Sequence, residues 1–170
     1  MKTRLIFICF ICLSAFSFAQ KSSVDFEIKN VGITVDGYFN TFTINADLDA
    51  SFELKNLSGK ITTSSIKTGI DSRDEHLLEE DYFDVENHKY ITLKSTAITK
   101  KTNTTYNVKA SLTIKGKTKT ITIPVAVEKE GDKYKITSSF EINRQNYDVG
   151  GGSFVMSKTV KVNVIYYQEF

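Results

Sequence analysis

Hydrophobic and polar residues alternate with a period of two along most of the chain from Val24 onward. Val24, Phe26 and Ile28 alternate with charged residues, and the same rhythm runs from Tyr106 to Ile114. This alternation places every second side chain on one face of a β-strand. Further strands with the same pattern are Ile33–Val35, Phe42–Ile44, Phe52–Leu54, Ile91–Leu93, Ile121–Val127, Tyr134–Ile142 and Val160–Tyr166. The pattern predicts about eight strands, each with one apolar and one polar face.

Short turn sequences separate these strands at intervals typical of hairpins. They are Asn30-Val31-Gly32, Leu57-Ser58-Gly59, Lys115-Gly116-Lys117 and Glu130-Gly131-Asp132. The short connections favour antiparallel neighbours. A sheet with one apolar face must pack against a second sheet or close on itself, and closure also removes exposed edges. The pattern therefore predicts an all-β fold and leaves a barrel and a sandwich open.

The segment Asp71–Asp84 departs from the strand rhythm and predicts a short helical insertion. Asp71 or Ser72 is placed to cap its first turn, where acidic residues suit the positive end of a helix. Leu77 and Phe83 offer apolar contacts to the sheet. A short helix across one end of a barrel would cover that end, so we call residues 71–84 the lid segment.

The N-terminus has the pattern of a secretory signal peptide. Lys2 and Arg4 precede the apolar run Leu5–Leu13, and small residues lead to Ala19. The run is shorter than the roughly 20 apolar residues of a membrane-spanning helix. We therefore expect residues 1–19 to be removed, 20–170 to form a single domain without an integral membrane segment, and the mature protein to be periplasmic or secreted.

Removal of the signal peptide also removes several classes of chemistry. Both cysteines, Cys9 and Cys12, lie within it, which excludes a cysteine nucleophile, a thiolate metal site and a disulfide framework in residues 20–170. The 22 basic residues fall to 20, equal to the 20 acidic ones, so a nucleic-acid surface is not expected. The chain has no nucleophile elbow, phosphate loop or metal-ligand spacing. We expect no metal and no catalytic residues.

His76 and His88 are the only histidines. His76 lies near Asp74 and Asp84 in sequence, so a hydrolase or isomerase that uses His76 with one of these carboxylates is an alternative function. The simpler interpretation is a histidine that forms hydrogen bonds within a polar loop. We expect His88 to face solvent.

Arg73 and Arg144 each interrupt a regular pattern beside an aromatic residue or the lid segment. A buried or half-buried arginine needs a carboxylate or carbonyl partner. We expect a structural ion pair, with Asp74 or Asp84 as the partner, that ties the lid segment to the barrel. Direct contact of either arginine with a ligand is the alternative.

Several sequence stretches occur in the order seen in a known family. They are Val35-Asp36-Gly37-Tyr38-Phe39, Ser64–Gly69 followed by Arg73–Leu77, Asp81–Val85, Leu112–Lys119 and Arg144–Gly150. The chain resembles the YceI-like family of secreted, lipocalin-like proteins. The resemblance implies an extended antiparallel closed β-barrel of about eight strands, with a polyisoprenoid chain inside it. The motif residues that the resemblance implies are Gly37, Arg73, Asp74, His76, Leu77, Asp84, Arg144 and Gly150.

We select candidate lining residues for such a cavity as the large apolar residues at the alternate strand positions that should face inward. They are Phe26, Ile28, Val35, Phe39, Phe42, Ile66, Phe83, Leu93, Val108, Leu112, Ile123, Phe140, Ile142, Tyr147 and Phe154. Because an isoprenoid offers almost only apolar surface, its binding would follow the area removed from water.

The expected function is non-enzymatic binding, with transport or storage, of a polyisoprenoid or similar long-chain lipid. Apart from a bound polyisoprenoid or quinone-like lipid we expect no cofactor, and we leave a homodimer open. A third alternative is a structural domain that binds another protein through Tyr166, Tyr167 and Phe170.

Overall fold

The computed structural model describes residues 21–169, which form one ten-stranded sheet and one short helix. The strands are β1 Ser23–Asn30, β2 Ile33–Phe39, β3 Phe42–Leu48, β4 Leu54–Thr62, β5 Ile66–Lys67, β6 Tyr90–Lys100, β7 Thr105–Ile114, β8 Lys117–Glu130, β9 Lys133–Asn143 and β10 Met156–Glu169. The helix α1 spans Asp71–Leu78, and two 3-10 turns lie at Thr63–Ser65 and Arg144–Tyr147. The prediction of an all-β fold is confirmed. The predicted signal peptide lies outside the described residues.

All neighbouring strands are antiparallel, in the order β3-β4-β6-β7-β8-β9-β10-β1-β2-β5. The sheet curls into a half-barrel whose end strands, β3 and β5, do not pair with each other. The predicted extended antiparallel barrel-like fold is confirmed, and it differs in two details: the sheet is a curled half-barrel where a closed barrel was expected, and it has ten strands where about eight were expected. The extra strand β5 has only two residues, which is too short for alternation to reveal it.

The two ends of the sheet approach each other where the strands are interrupted. Residues 40–41 separate β2 from β3, and the 3-10 turn Thr63–Ser65 separates β4 from β5. The Asn40 N–H donates to the Ser65 carbonyl at 3.1 Å, and the Thr62 N–H donates to the Thr41 carbonyl at 2.9 Å. These two bonds satisfy backbone groups at the seam, where the regular ladder stops.

The predicted turn at Ser58-Gly59 is wrong, since both residues lie inside β4. Gly59 pairs with Ile44 on one side and with Leu93 on the other. The actual turn comes earlier, where the Asp49 Oδ1 atom accepts hydrogen bonds from the backbone N–H groups of Ser51 and Glu53, both at 2.9 Å. An aspartate that binds nearby backbone N–H groups is a strong turn former, and this signal lay outside the glycine pattern.

Two groups of buried side chains fill the concave side of the sheet. One centres on Val108, Ala110, Ile123 and Val125 of β7 and β8, and Val108 and Ala110 have no exposed surface. The other joins strand residues to the lid segment and the 3-10 turn after β9; its buried members are Val24, Phe39, Ile66, Ile91, Leu112, Ile114, Tyr147 and Val149. Val108 and Ala110 leave no space beside them, whereas Ile123 and Val125 of the same group border the space that remains on the concave side.

Pro124 marks the place where β8 and β9 separate. The β8–β9 pairing runs from Glu130 with Lys133 to Ala126 with Thr137, in steps that make Pro124 and Ser139 the next hydrogen-bonded pair. Proline has no N–H to donate, so this rung cannot form. The Ser138 hydroxyl instead donates to the Pro124 carbonyl at 2.7 Å. Beyond this point β9 pairs only with β10.

The lid segment contains the predicted helix, although the helix is shorter than the segment. Helix α1 ends at Leu78, and turns complete residues 79–84. Its N-cap is Ile70, which makes no side-chain cap bond, so the prediction that Asp71 or Ser72 caps it is wrong. Within residues 21–169 no helix is long and apolar enough to cross a bilayer.

Candidate functional site

A cavity of about 280 Å³ lies on the concave side of the sheet, and side chains of β1, β4, β6, β7, β8, β9, β10 and the lid segment border it. Its wall is almost entirely aliphatic and aromatic. Phe26 and Ile28 of β1 face Val160 and Val162 of the paired strand β10, and all four line the cavity. These side chains are only half-buried although they point inward. They are therefore exposed to the cavity space, unlike Val108 and Ala110 of β7, which have no exposed surface.

Most of the predicted lining residues are placed along this cavity. They are Phe26, Ile28, Val35, Phe39, Ile66, Phe83, Leu93, Leu112, Ile123, Phe140, Ile142 and Tyr147. Their contact with a ligand stays a prediction.

Three predicted lining residues lie elsewhere. Val108 is fully buried in the packed group of β7 and β8. Phe42 packs at the edge of the second buried group, outside the cavity wall. Phe154 is fully exposed in the loop before β10, because the strand begins two residues later and parity does not extend into a loop.

Strand β10 supplies lining residues that the sequence prediction omitted. Val160, Val162, Val164 and Tyr166 all border the cavity. Their alternation was visible in the sequence, and it is the signal that would have identified them. Val24 and Leu77 also border the cavity without having been predicted as lining residues.

The cavity reaches the end of the sheet that the lid segment covers. Arg73, His76, Leu77, Tyr82 and Phe83 of the lid segment contribute to its wall. The same end carries Asn30 at the close of β1 and Met156 at the start of β10, which are paired and also line the cavity.

The polar groups at this end are largely occupied by internal hydrogen bonds. Arg73 donates from Nε to the Thr68 hydroxyl and from Nη2 to the Thr68 carbonyl, both at 2.7 Å. Arg73 thus fixes the approach to α1, and within residues 21–169 it makes no ion pair with a carboxylate, so that prediction is wrong. These two bonds use the Nε and Nη2 groups of Arg73, and its Nη1 group can donate to another acceptor.

Asp74 is the buried carboxylate of α1. Its Oδ1 atom accepts from the Thr68 N–H at 2.8 Å and from the Thr68 hydroxyl at 2.6 Å, and its Oδ2 atom lies 3.4 Å from Lys67 Nζ. Burial raises the pKa of Asp74, but the bonds from Thr68 and the contact with Lys67 outweigh burial and leave it below its ordinary value. Asp74 is therefore held ionised, as a fixed structural anchor.

His76 does not pair with either carboxylate of the predicted catalytic pair. Its Nδ1 atom lies 2.7 Å from Glu79 Oε2, and its ring is 4.9 Å from that of Tyr82, edge to face. The side chain is 54% exposed. The simpler interpretation is right about the hydrogen bond but wrong about the loop, since His76 lies in the last turn of α1.

Asp84 stabilises the turn that ends the lid segment. Its backbone has a positive φ of 47°, and its carboxylate accepts from the Asn87 amide at 2.9 and 3.1 Å. His88 Nε2 lies 3.7 Å from Asp84 Oδ2. The prediction that His88 faces solvent is wrong, since it is half-buried against Gly116.

Arg144 is buried and forms a hydrogen-bonding centre for the loop that precedes β10. It donates to the carbonyls of Ser157 at 2.8 Å, Val149 at 2.6 Å, Gly151 at 3.0 Å and Met156 at 3.2 Å. The predicted carboxylate partner is wrong, because carbonyl oxygens fill every contact. Burial lowers the pKa of Arg144.

Gly150 is required beside this arginine. Its φ is +70°, and a Cβ there would lie 3.0 Å from Arg144 Nη1 and 2.6 Å from Met156 Cε. Tyr147, in the same 3-10 turn as Arg144, is 1% exposed, and burial raises the pKa of its hydroxyl. This region therefore serves to close and shape one end of the cavity.

Two of the three residues of the predicted protein-binding cluster, Tyr166 and Tyr167, are half-buried. Tyr166 lines the cavity, and Tyr167 is half-buried with Lys135 Nζ 5.9 Å from its ring centre. Phe170 lies outside the described residues. In residues 21–169 no group of three His, Cys, Asp or Glu side chains is arranged to hold a metal ion.

Comparison with known sequences identifies relatives over most of the chain. A family model described as the YceI-like domain matches residues 18–166. A UPF0312 protein of Staphylococcus aureus is 30% identical over 155 residues, which are 82% of this chain and 88% of that protein. A UPF0312 protein of Vibrio parahaemolyticus is 32% identical over 108 residues, which are 60% of this chain and 55% of that protein. The chain thus matches about half the length of the Vibrio relative.

Solved structures share the same architecture. BcnA of Burkholderia cenocepacia superposes with a TM-score of 0.81 at 25% identity, over 86% of this chain and 96% of that one. A polyisoprenoid binding domain from Saccharophagus degradans superposes with a TM-score of 0.70 at 17% identity, over 88% of this chain and 94% of that one. The second likeness is one of fold.

Proposed function

The chain belongs to the YceI-like family, and on that premise we propose that it is a non-enzymatic carrier that holds a polyisoprenoid or similar long-chain lipid in its cavity. The observation that carries the proposal is the wall of the cavity, where paired strands β1 and β10 present Phe26, Ile28, Val160 and Val162 to an unfilled space. The polyisoprenoid-binding domain of the same fold supports it. We further propose that the protein is secreted into the periplasm and that it transports or stores the bound lipid there.

The size and chemistry of the cavity suit a thin apolar chain. Ligand pockets are typically about 300–1,000 Å³, so 280 Å³ is at the small end and favours a flexible chain over a bulky ring system. Each Å² of apolar surface removed from water contributes about 25 cal/mol, so a chain needs few polar contacts to bind. The binding energy then depends mainly on the apolar area that the ligand buries in the cavity, and little on hydrogen bonds or ion pairs.

The proposal is tested by native mass spectrometry of the purified protein, followed by organic extraction and identification of the released compounds. We expect a polyprenyl compound at close to one per chain. The blocking variant is Ile28→Trp, which places a large ring in the cavity, and the matched control is Ile70→Trp, at a residue 51% exposed and outside the cavity wall. Ligand lost from the first variant and kept by the second supports the proposal. A wild-type protein without bound lipid, and unable to take up added polyprenol, would contradict it.

The variant His76→Ala separates binding from catalysis at the same cavity. The predicted partners of His76 are engaged elsewhere, Asp74 with Thr68 and Asp84 with Asn87. We therefore expect His76→Ala to keep the extracted lipid within about twofold of the wild-type amount. If the wild type converts its bound lipid and His76→Ala loses that turnover by several powers of ten, the carrier function is incomplete.

A further inference from the structure

Four apolar side chains are strongly exposed at one corner of the sheet, in the turn between β1 and β2 and in the loop before β10. Phe154 is fully exposed, Val31 70%, Ile33 69% and Val155 60%. The Val31 N–H donates to the Val155 carbonyl at 2.9 Å, so the turn and the loop lie side by side. These four residues form one surface, which we call the apolar corner.

A concentrated apolar surface of this kind indicates an interaction site, since soluble proteins expose large apolar residues mostly singly. Half of the large apolar residues that are exposed within residues 21–169 belong to the apolar corner. The loop carries Gly151 and Gly152 just before Phe154, and neither glycine has a neighbouring atom within 4 Å of a Cβ position.

The two segments that form the apolar corner carry lysines and no carboxylates. No acidic residue occurs between Glu27 and Asp36, nor between Asp148 and Glu169. Lys29 and Lys158 are exposed on the strands that lead into the corner, and neither has a carboxylate partner in the part of the chain that the structure describes. Apolar side chains flanked by free lysines match the surface of an anionic bilayer, where each lysine adds attraction to lipid headgroups.

The apolar corner adjoins the cavity. Asn30 and Met156 are the paired residues at the base of the turn and the loop, and both line the cavity. A bilayer that receives Phe154 would therefore lie next to the end of the cavity that the lid segment covers.

We propose that the apolar corner inserts into the outer layer of an anionic phospholipid membrane, with Phe154 as the main anchor and Lys29 and Lys158 as headgroup contacts. Its purpose, to bring the cavity end to the lipid that the protein collects or delivers, rests on the proposed carrier function. The membrane contact itself does not depend on a filled cavity.

Acidic residues of the lid segment limit how much charge can contribute. The Gly150 N–H donates to the Asp81 carbonyl at 2.8 Å, which brings residues 79–81 near the loop. Their carboxylates oppose an anionic surface, so apolar insertion supplies most of the affinity. Raising salt from 0.05 to about 0.5 M should weaken binding only severalfold, because screening reduces the attraction of the lysines and the repulsion of the carboxylates together.

The absence of tryptophan from the chain makes a direct test available. The variant Phe154→Trp introduces a single reporter in the apolar corner, and Phe52→Trp introduces one in the loop between β3 and β4, where Phe52 is 58% exposed. Vesicles of phosphatidylcholine and phosphatidylglycerol in a 7:3 ratio are added to each full-length protein. We expect a blue shift of emission, and quenching by brominated lipid, at position 154 and neither at position 52.

A second measurement gives the strength of the contact. Phe154→Ser should reduce the fraction that floats with these vesicles about tenfold, as expected for loss of a buried aromatic side chain, whereas Phe52→Ser should leave it unchanged. The double variant Lys29→Glu, Lys158→Glu should reduce it severalfold at low salt.

The outcomes distinguish this inference from failure of the carrier function. No shift at position 154, equal shifts at both positions, or a shift that follows protein concentration without vesicles would overturn it; the last result would assign the apolar corner to a second copy of the chain. If Phe154→Trp inserts while no lipid is extracted from the cavity, the membrane contact stands and the carrier proposal fails. If the Phe154→Ser variant no longer binds vesicles but still yields extracted lipid from its cavity, the result supports both the membrane contact and the carrier function.

Discussion

Phe26 lies directly over Gly37 of the neighbouring strand, so closely that a Cβ at position 37 would be 2.2 Å from the ring Cζ atom. The two residues are paired in the β1–β2 ladder. The ring of Phe26 also lies 5.7 Å from that of Phe39, which in turn contacts Phe83 of the lid segment at 6.4 Å. The missing side chain of Gly37 thus sets where the aromatic wall of the cavity stands.

Gly37→Ala should therefore destabilise the protein and alter the cavity. The added methyl group forces the Phe26 ring toward the cavity, and overpacking of this kind costs about 1–3 kcal/mol. Urea unfolding measures the loss. Gly59→Ala is the matched control in β4, since its new methyl group would meet only Ile44 at 4.0 Å. Equal stability of Gly37→Ala and wild type would show that the ring moves freely.

The four carbonyl contacts of Arg144 predict a large effect for a conservative change. Arg144→Lys keeps the charge but cannot reach the carbonyls of Val149, Gly151, Met156 and Ser157 in the same geometry. Because buried carbonyls would then lack a hydrogen-bond donor, we expect the free energy of unfolding to fall by about 2–4 kcal/mol. Arg73→Lys, with two contacts to one residue, should cost less. The reverse order of the two losses would refute this account.

Asp74 predicts a specific dependence of stability on pH. Because its pKa in the folded protein lies below the ordinary value of 3.8, its stabilisation is complete above that value and is lost as the pH falls through the folded pKa. Asp74→Asn should cost about 1–3 kcal/mol at pH 7, and the difference from wild type should shrink between pH 4 and pH 2. Urea midpoints across pH 2–7 measure it, with the exposed Asp71→Asn as control. A difference that stays constant over this range would rule out the titration of Asp74.

The sequence predicted the strands and most of the cavity wall, because alternation reports which side of a strand faces inward. The sequence could not show that Phe26 borders a cavity whereas Val108 is packed in the core. Both point to the concave side, but one borders a cavity and the other is packed on all sides, and this difference depends on distant strands. Phe154 was misplaced because parity fails outside a strand. The partners of Arg144 are backbone carbonyls, whose positions no side-chain pattern records.

The last prediction concerns Pro124, which lies where β8 and β9 separate and affects a single hydrogen-bonded pair of that ladder. In the β7–β8 ladder Pro124 faces Asn107 at a position where neither residue bonds across the pair, so proline is tolerated on that side. Only the bond toward Ser139 of β9 is prevented. Pro124→Val supplies the missing N–H and should extend the β8–β9 ladder by one rung. In the completed rung the new N–H at position 124 donates to the Ser139 carbonyl, and the Ser139 N–H donates to the carbonyl at position 124. Hydrogen exchange measured by NMR should then show the Ser139 amide at least about tenfold better protected, a change of roughly 1.4 kcal/mol, while Thr122→Val leaves it unchanged. If the amide exchanges as fast as in the wild type, the curvature of the sheet, and not the proline, keeps the two strands apart beside the cavity.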